Sequence, residues 1–228
     1  MKLGENTIAV LKNYSRMNQG LKVEPGNIIS SMTAAKTVVS KSKVDTEFEK
    51  GFCIYNLHGF LGVLSLFNDP DIEIMDDAMH IIDGNKNVVY RFASESMIVF
   101  PSEEQFTILD SYDDVIVEFD LTQEDISTII KAAHVLSLPN VVFAGEFGDV
   151  FVRSTGVKDP GSNNFNIHIG KTDKTFLSVI DKNYLVLLTP DDYRVSILGR
   201  TDGKGNRVLA KFTSANQTNW IATESIKS

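Results

Sequence analysis

The sequence predicts an α+β fold built as two similar domains, each with two helices packed on antiparallel sheet. Three observations carry this expectation. In the first 93 or so of the 228 residues, helix, three strands, short helix and three more strands follow one another, and the second half repeats that order in outline. The first long helix overlays the second at a constant offset of 118, with Ile8 on Ile126, Leu11 on Ile129 and Arg16 on His134. The connections are short polar turns of Asp, Asn, Gly and Pro, as antiparallel neighbours require.

Residues 5–19 have helical periodicity. Val10, Leu11, Tyr14 and Met17 share one side; Lys12, Asn13, Arg16 and Gln19 share the other, with Lys12 and Arg16 one turn apart. No Asp or Glu occurs from residue 6 to 23, although the chain carries 30 acidic against 22 basic residues, net −8. A merely solvated face in so acidic a chain should hold some acids, and a face near phosphate should not. Strands follow at 27–32, 37–44 and 48–55. Asn56 then offers a side-chain oxygen to unpaired helix N–H groups and starts a short helix that Asn68-Asp69-Pro70-Asp71 ends. Leu57, Phe60, Leu61, Val63, Leu64 and Phe67 cover one arc of it, while His58, Gly59, Gly62 and Ser65 lie on the other. Each glycine costs a helix about 1 kcal/mol relative to alanine. Either another element packs closely on that smooth face, or a large smooth object passes it. Strands at 71–75, 79–82 and 88–92 complete the first half, and a connector at about 93–107 has an apolar middle. It separates domains 1–100 and 108–228.

The second half opens with a strand at 115–119. Thr122 and Asp125 stand at capping-box spacing before a helix to about 137. Ile126, Ile129, Ile130, Ala133 and Leu136 form its buried face, leaving Ser127, Lys131 and His134 outside. Strands follow at 140–144, 150–154, 164–169 and 175–180. Residues 182–188 are a short helix capped by Asp181, or a strand from 184. Strands at 193–198, 207–213 and 220–224 close the chain, with a hairpin turn at 203–206.

Composition excludes several classes. With 43% hydrophobic residues the chain can bury real cores. No run reaches the roughly 18 apolar residues of a membrane span, and the first residues lack the apolar core of a secretory signal. Cys53, the single cysteine, is expected as a buried apolar residue. The four histidines show no metal-ligand spacing, and no Gly-x-Ser-x-Gly elbow occurs. Gly199-Arg-Thr-Asp-Gly203-Lys204 is one residue short of a phosphate loop and reads as a turn. The pairs Asp76-Asp77, Asp113-Asp114 and Asp191-Asp192 sit at turns, where Asp is locally favoured. The expectation is no enzyme, no catalytic residue, no metal and no cofactor.

Residues 54–69, Ile-Tyr-Asn-Leu-His-Gly-Phe-Leu-Gly-Val-Leu-Ser-Leu-Phe-Asn-Asp, resemble the sliding clamps of T-even-type bacteriophages. So do Met1-Lys2-Leu3, Thr7, Leu11-Lys12-Asn13 and Gly20. The second half matches in order and pattern, with Glu124-Asp125 opening its helix and Pro190-x-x-Tyr193 after the last one. The resemblance implies two sliding-clamp domains per subunit and three subunits joined head to tail in a ring, helices lining the hole and sheets outside. It implies encirclement of double-stranded DNA without sequence readout, loading by an ATP-driven clamp loader, and tethering of the viral DNA polymerase in the cytoplasm of the infected host. Other replication and late-transcription partners would use the same platform, and no membrane is involved.

On that reading the DNA-facing residues are Lys2, Lys12, Asn13, Arg16, Gln19, His58, Gly62, Ser65, Lys131, His134 and Lys182. Partner tails would dock at Phe100, Phe106 and Ile108, near the connector. His134 departs from the basic residue that related clamps tend to place there, and a histidine near neutral pH is only partly charged. The competing expectation is a non-catalytic, β-rich viral structural or scaffold protein that encircles nothing.

Overall fold

The computed structural model describes residues 1–202 and 205–224. The chain divides into two compact units, Met1–Ser102 and Glu103–Ser228.

In the first unit, α1 (Glu5–Met17) leads into β1 (Leu21–Val23), β2 (Gly26–Met32), β3 (Val38–Phe48) and β4 (Phe52–Ile54). Then come α2 (Leu57–Leu64), β5 (Asp71–Ile74), β6 (Ala78–Asp83) and β7 (Lys86–Arg91). All pairings are antiparallel: β4-β1-β2-β3 in one sheet and β5-β6-β7 in another. Two sheets per unit replace the single larger one expected. β3 alternates from Ser40 to Phe48, and its inward Ser42 Oγ lies 2.8 Å from the hydroxyl of fully buried Tyr14 on α1. That places α1 across β2 and β3.

Start and stop signals differ between the helices. The residue before α1 is Gly4, which has no side chain to cap with. Asp45 on β3 supplies the cap instead: its carboxylate accepts from the backbone N–H of Asn6 at 3.1 Å and of Thr7 at 3.0 Å, and from the Thr7 hydroxyl at 2.6 Å. A Cβ on residue 4 would collide with that carboxylate. The Thr7 hydroxyl and these N–H groups, outweighing partial desolvation, hold the Asp45 carboxyl below its ordinary pKa. Asn56 caps α2 as expected, accepting from Gly59 N–H at 2.8 Å.

In the second unit, α3 (Glu103–Asp110), β8 (Asp114–Leu121) and α4 (Gln123–Val135) precede β9 (Asn140–Glu146), β10 (Asp149–Thr155), β11 (Asn164–Lys171) and β12 (Phe176–Asp181). Then follow α5 (Lys182–Leu185), β13 (Tyr193–Asp202), β14 (Gly205–Thr213) and β15 (Gln217–Ala222). The orders are β12-β9-β10-β11 and β15-β14-β13-β8, again wholly antiparallel. Thr122 and Asp125 form the expected capping box on α4. Ser154 Oγ on β10 donates to Ile129 O at 3.0 Å and fixes α4 against the sheet. Phe119, Phe143, Phe212 and Tyr193 form a chain of ring contacts beneath it. Burial pushes the Tyr193 hydroxyl up to about 12.

The duplication is clear. α1 and α4 are both 13 residues long and begin 118 residues apart, the offset read from Ile8 and Ile126. The strand order β4-β1-β2-β3 recurs as β12-β9-β10-β11.

Three expectations need correction. β1 is a three-residue strand too short to carry periodicity. The segment read as 37–44 is one strand to Phe48, leaving only Phe52–Ile54 of the next. The connector has its expected apolar middle, with a 3-10 turn at Glu95–Met97 and buried Ile98, but it leads into an unexpected helix, α3, whose short polar sequence hides its period. Residues 182–188 resolve as a single helical turn. The expected turn residues Gly203 and Lys204 lie outside the described residues.

Candidate nucleic-acid interface

In the first unit, α1 and α2 pack side by side and turn parts of their surfaces to solvent. Lys12 and Arg16 are exposed on α1 and Gln19 just beyond its end; His58 and Gly62 are exposed on α2 and Ser65 at its C-cap. A groove of about 210 Å³ is lined by Lys12 and Ser65 together with Ile8, Leu61, Leu64 and Asp69. Among the described residues Lys12, Arg16 and Lys131 make no ion pair. Their charge is therefore uncompensated locally, as a screened attraction for phosphate requires.

The two glycines of α2 part company. A Cβ on Gly59 would press the Asn56 side chain, at 2.9 Å from its amide nitrogen, so that glycine serves the cap. A Cβ on Gly62 would meet nothing within 4 Å. Among the described residues no packing demands a glycine there.

Of the expected DNA-facing residues, Asn13 is corrected and two more are held by the chain itself. Asn13 is 6% exposed. It stands only about 40° around the helix from buried Met17, and that flank of α1 is covered. Lys2 is exposed but ion-paired to Asp69, because the first residues run beside β5, with Met1 and Ile72 exchanging two 2.8 Å backbone hydrogen bonds. The Asp69 hydrogen bond, with Asp71 and Asp83 adding, raises the Lys2 pKa and commits its charge locally. A third, Lys182, is half-buried and donates to Ala133 O at 3.3 Å, where a cation favours the C-terminal end of α4.

On α4, Lys131 and His134 are exposed, as expected. Comparison with α1 adds what periodicity could not. Positions Val10, Asn13 and Met17 are buried on α1, yet the matching Thr128, Lys131 and Val135 on α4 are exposed, Val135 at 75%. One flank is covered in the first copy of the helix and bare in the second.

The three pocket residues lie in different settings. Phe100 has the Lys22 ammonium 4.4 Å from its ring centroid. Lys22 also pairs with Glu24 and Glu95, whose carboxylates overcome partial burial and raise its pKa. Phe106 on α3 leans on Trp220 of β15, ring centroids 5.8 Å apart, while Ile108 is 45% exposed. Sequence reasoning missed Trp220, which is 112 residues from Ile108 and signals nothing locally. It missed Asp45 for the same reason. Among the described residues no group of three or more His, Cys, Asp or Glu is placed to hold a metal, and no helix is long and apolar enough to cross a membrane.

Solved structures share this architecture. The Helicobacter pylori beta clamp bound to a DNA ligase peptide superposes with TM-score 0.70 at 12% identity, covering 99% of this chain and 65% of that one. Archaeoglobus fulgidus PCNA, bound to the C-terminal region of FEN-1, superposes with TM-score 0.68 at 13% identity over the full length of both chains. The fold is that of the sliding clamps. Sequence likeness is narrower: the sliding clamp of Escherichia phage RB69 is 28% identical across 98% of this chain and 97% of its own. Those of Vibrio phage KVP40 and Enterobacteria phage T4 are 26% and 24% identical over nearly the whole chain. No protein-family model matches the chain. The resemblance to T-even-type phage sliding clamps holds from end to end.

Proposed function

We propose that this chain is a sliding clamp that encircles duplex DNA and tethers a replicative polymerase, giving processivity in viral DNA replication without chemistry of its own. The observation that carries the reading is α1, whose outward face bears the uncompensated Lys12 and Arg16 in a chain of net −8, with His134 at the place of Arg16 on its repeat α4. Lys12, Arg16, Gln19, His58, Gly62, Ser65 and His134 face the DNA across water. Such a field is long-ranged, independent of base sequence, and free of the bidentate contacts that would add friction. The acidic remainder repels DNA from other surfaces.

The assembly is a head-to-tail homotrimer. Its support is the flank buried on α1 and bare on α4: a second copy docked against Thr128, Lys131 and Val135 would cover in the second unit what is already covered in the first. Contacts between unlike surfaces close into rings when the rotation allows. Lys131 then lies at the subunit join, not squarely in the bore. An ATP-driven loader opens the ring, and partner tails dock on Phe106 and Ile108 against Trp220, within the infected bacterial cell.

The test is Lys12→Glu with Arg16→Glu. The doubly reversed ring should assemble normally yet lose processivity with its polymerase. Unchanged processivity would contradict the reading.

A further inference from the structure

The hairpin joining β9 to β10 turns through Phe147-Gly148, with φ of 55° and 85°. Two-residue hairpins favour Asn-Gly or Asp-Gly there, because both positions need the left-handed region. Phenylalanine is a poor choice on backbone grounds, and at 98% exposure it is also the most solvated large apolar side chain of the described residues. The tip is nevertheless held on both sides by ion pairs and a backbone hydrogen bond. Glu146 and Asp149 face each other in register; Arg153 binds Glu146 at 3.0 Å, while His168 and Lys171 hold Asp149 at 2.8 and 2.6 Å. Thr172 N–H donates to Gly148 O at 3.1 Å, tying the tip to the next turn. These carboxylates are neutralised within the chain, so the tip offers an aromatic ring, not a charge. That disfavours nucleic acid and favours an apolar protein surface.

We infer that Phe147 is the contact through which two assembled rings stack, each tip meeting its counterpart on a second copy across a two-fold axis. This rests on the ring reading above. Asp173 and Lys174, adjacent on the tied turn, are exposed and make no ion pair among the described residues. Opposite signs side by side are self-complementary about a two-fold axis, as an isologous contact requires. Area sets the stoichiometry. An aromatic side chain buries on the order of 150–250 Å², so one pair of tips falls far short of the roughly 1,200 Å² of a stable interface. Threefold symmetry sets three tips at one height on the ring axis, and the six rings of two facing trimers reach about that area, engaged together by avidity.

Sedimentation equilibrium from low micromolar to near-millimolar concentration tests this, with Phe147→Ser and Phe147→Asn beside the parent. The parent should pass from three to six times 25.3 kDa, and both variants should stop at three. Asparagine suits the left-handed turn, so Phe147→Asn should melt no lower than the parent, which separates lost contact from lost fold. A parent that never exceeds three chains, or variants that still reach six, would overturn the inference. A two-chain species abolished by both variants would uphold the tip contact and sink the ring. No association at any concentration would sink both.

Discussion

The two units start from one plan and diverge in how they finish it. α1 and α4 have equal length and sit on sheets of equal strand order, yet α1 is capped by a carboxylate from β3 and α4 by its own first turn. α2 runs eight residues with two glycines, whereas α5 is one turn of four. One flank of α1 is covered where the matching flank of α4 is bare. Backbone geometry follows from strand order and helix period, which both halves share. Surface chemistry follows from what each copy must meet, and there they differ.

The largest effect should come from that flank. Val135→Asp places a charge on an exposed position of the isolated chain, so folding should survive while the oligomer falls to monomer by solution mass. The matching Met17→Asp is buried and should unfold the first unit, at several kcal/mol for an unpaired buried charge. If Val135→Asp leaves the oligomer intact, the flank is not the join.

Next in size is the charge on the helix faces. Lys12→Glu with Arg16→Glu reverses two charges per subunit and should cut the rate of loading onto DNA by about tenfold or more at moderate salt. His134→Glu should do less. His134→Arg, which sets a permanent cation where the repeat has Arg16, should speed loading.

Caps give smaller effects. Asp45→Ala and Thr122→Ala should each cost about 1 kcal/mol in chemical denaturation, but only the first loosens α1 from β3. Because the folded-state pKa of Asp45 is depressed, its stabilisation is fully present above the unfolded value near 4 and is lost as pH falls through the folded value. An acid titration of melting temperature should therefore be flatter for Asp45→Asn than for the parent. Smallest is Gly62→Ala, which meets no atom and should stabilise α2 by up to about 1 kcal/mol. Gly62→Glu should fold as well yet slow loading onto DNA. Gly59→Ala should destabilise, since it crowds the Asn56 cap.

What the sequence made legible was whatever repeats locally. The periods of α1, α2 and α4, the Asn56 cap and the Thr122–Asp125 box are encoded within a few residues, and the offset of 118 linked the halves. What it hid depends on distant partners or short elements. Asp45 capping a helix 38 residues earlier, Trp220 under Phe106, and Asp69 neutralising Lys2 have no local signature. β1 and α3 are too short or too polar for periodicity to speak. Asn13 was misassigned because a helical wheel fixes angles and not the width of the covered arc, and α1 is covered further round than α4.

Encirclement is tested most directly by loading the protein on nicked circular duplex DNA, washing at high salt, and then cutting the circle at one site. A topological tether should stay bound to the circle through the wash and leave promptly once ends exist. Loss to salt from the intact circle, or equal retention before and after cutting, would contradict it.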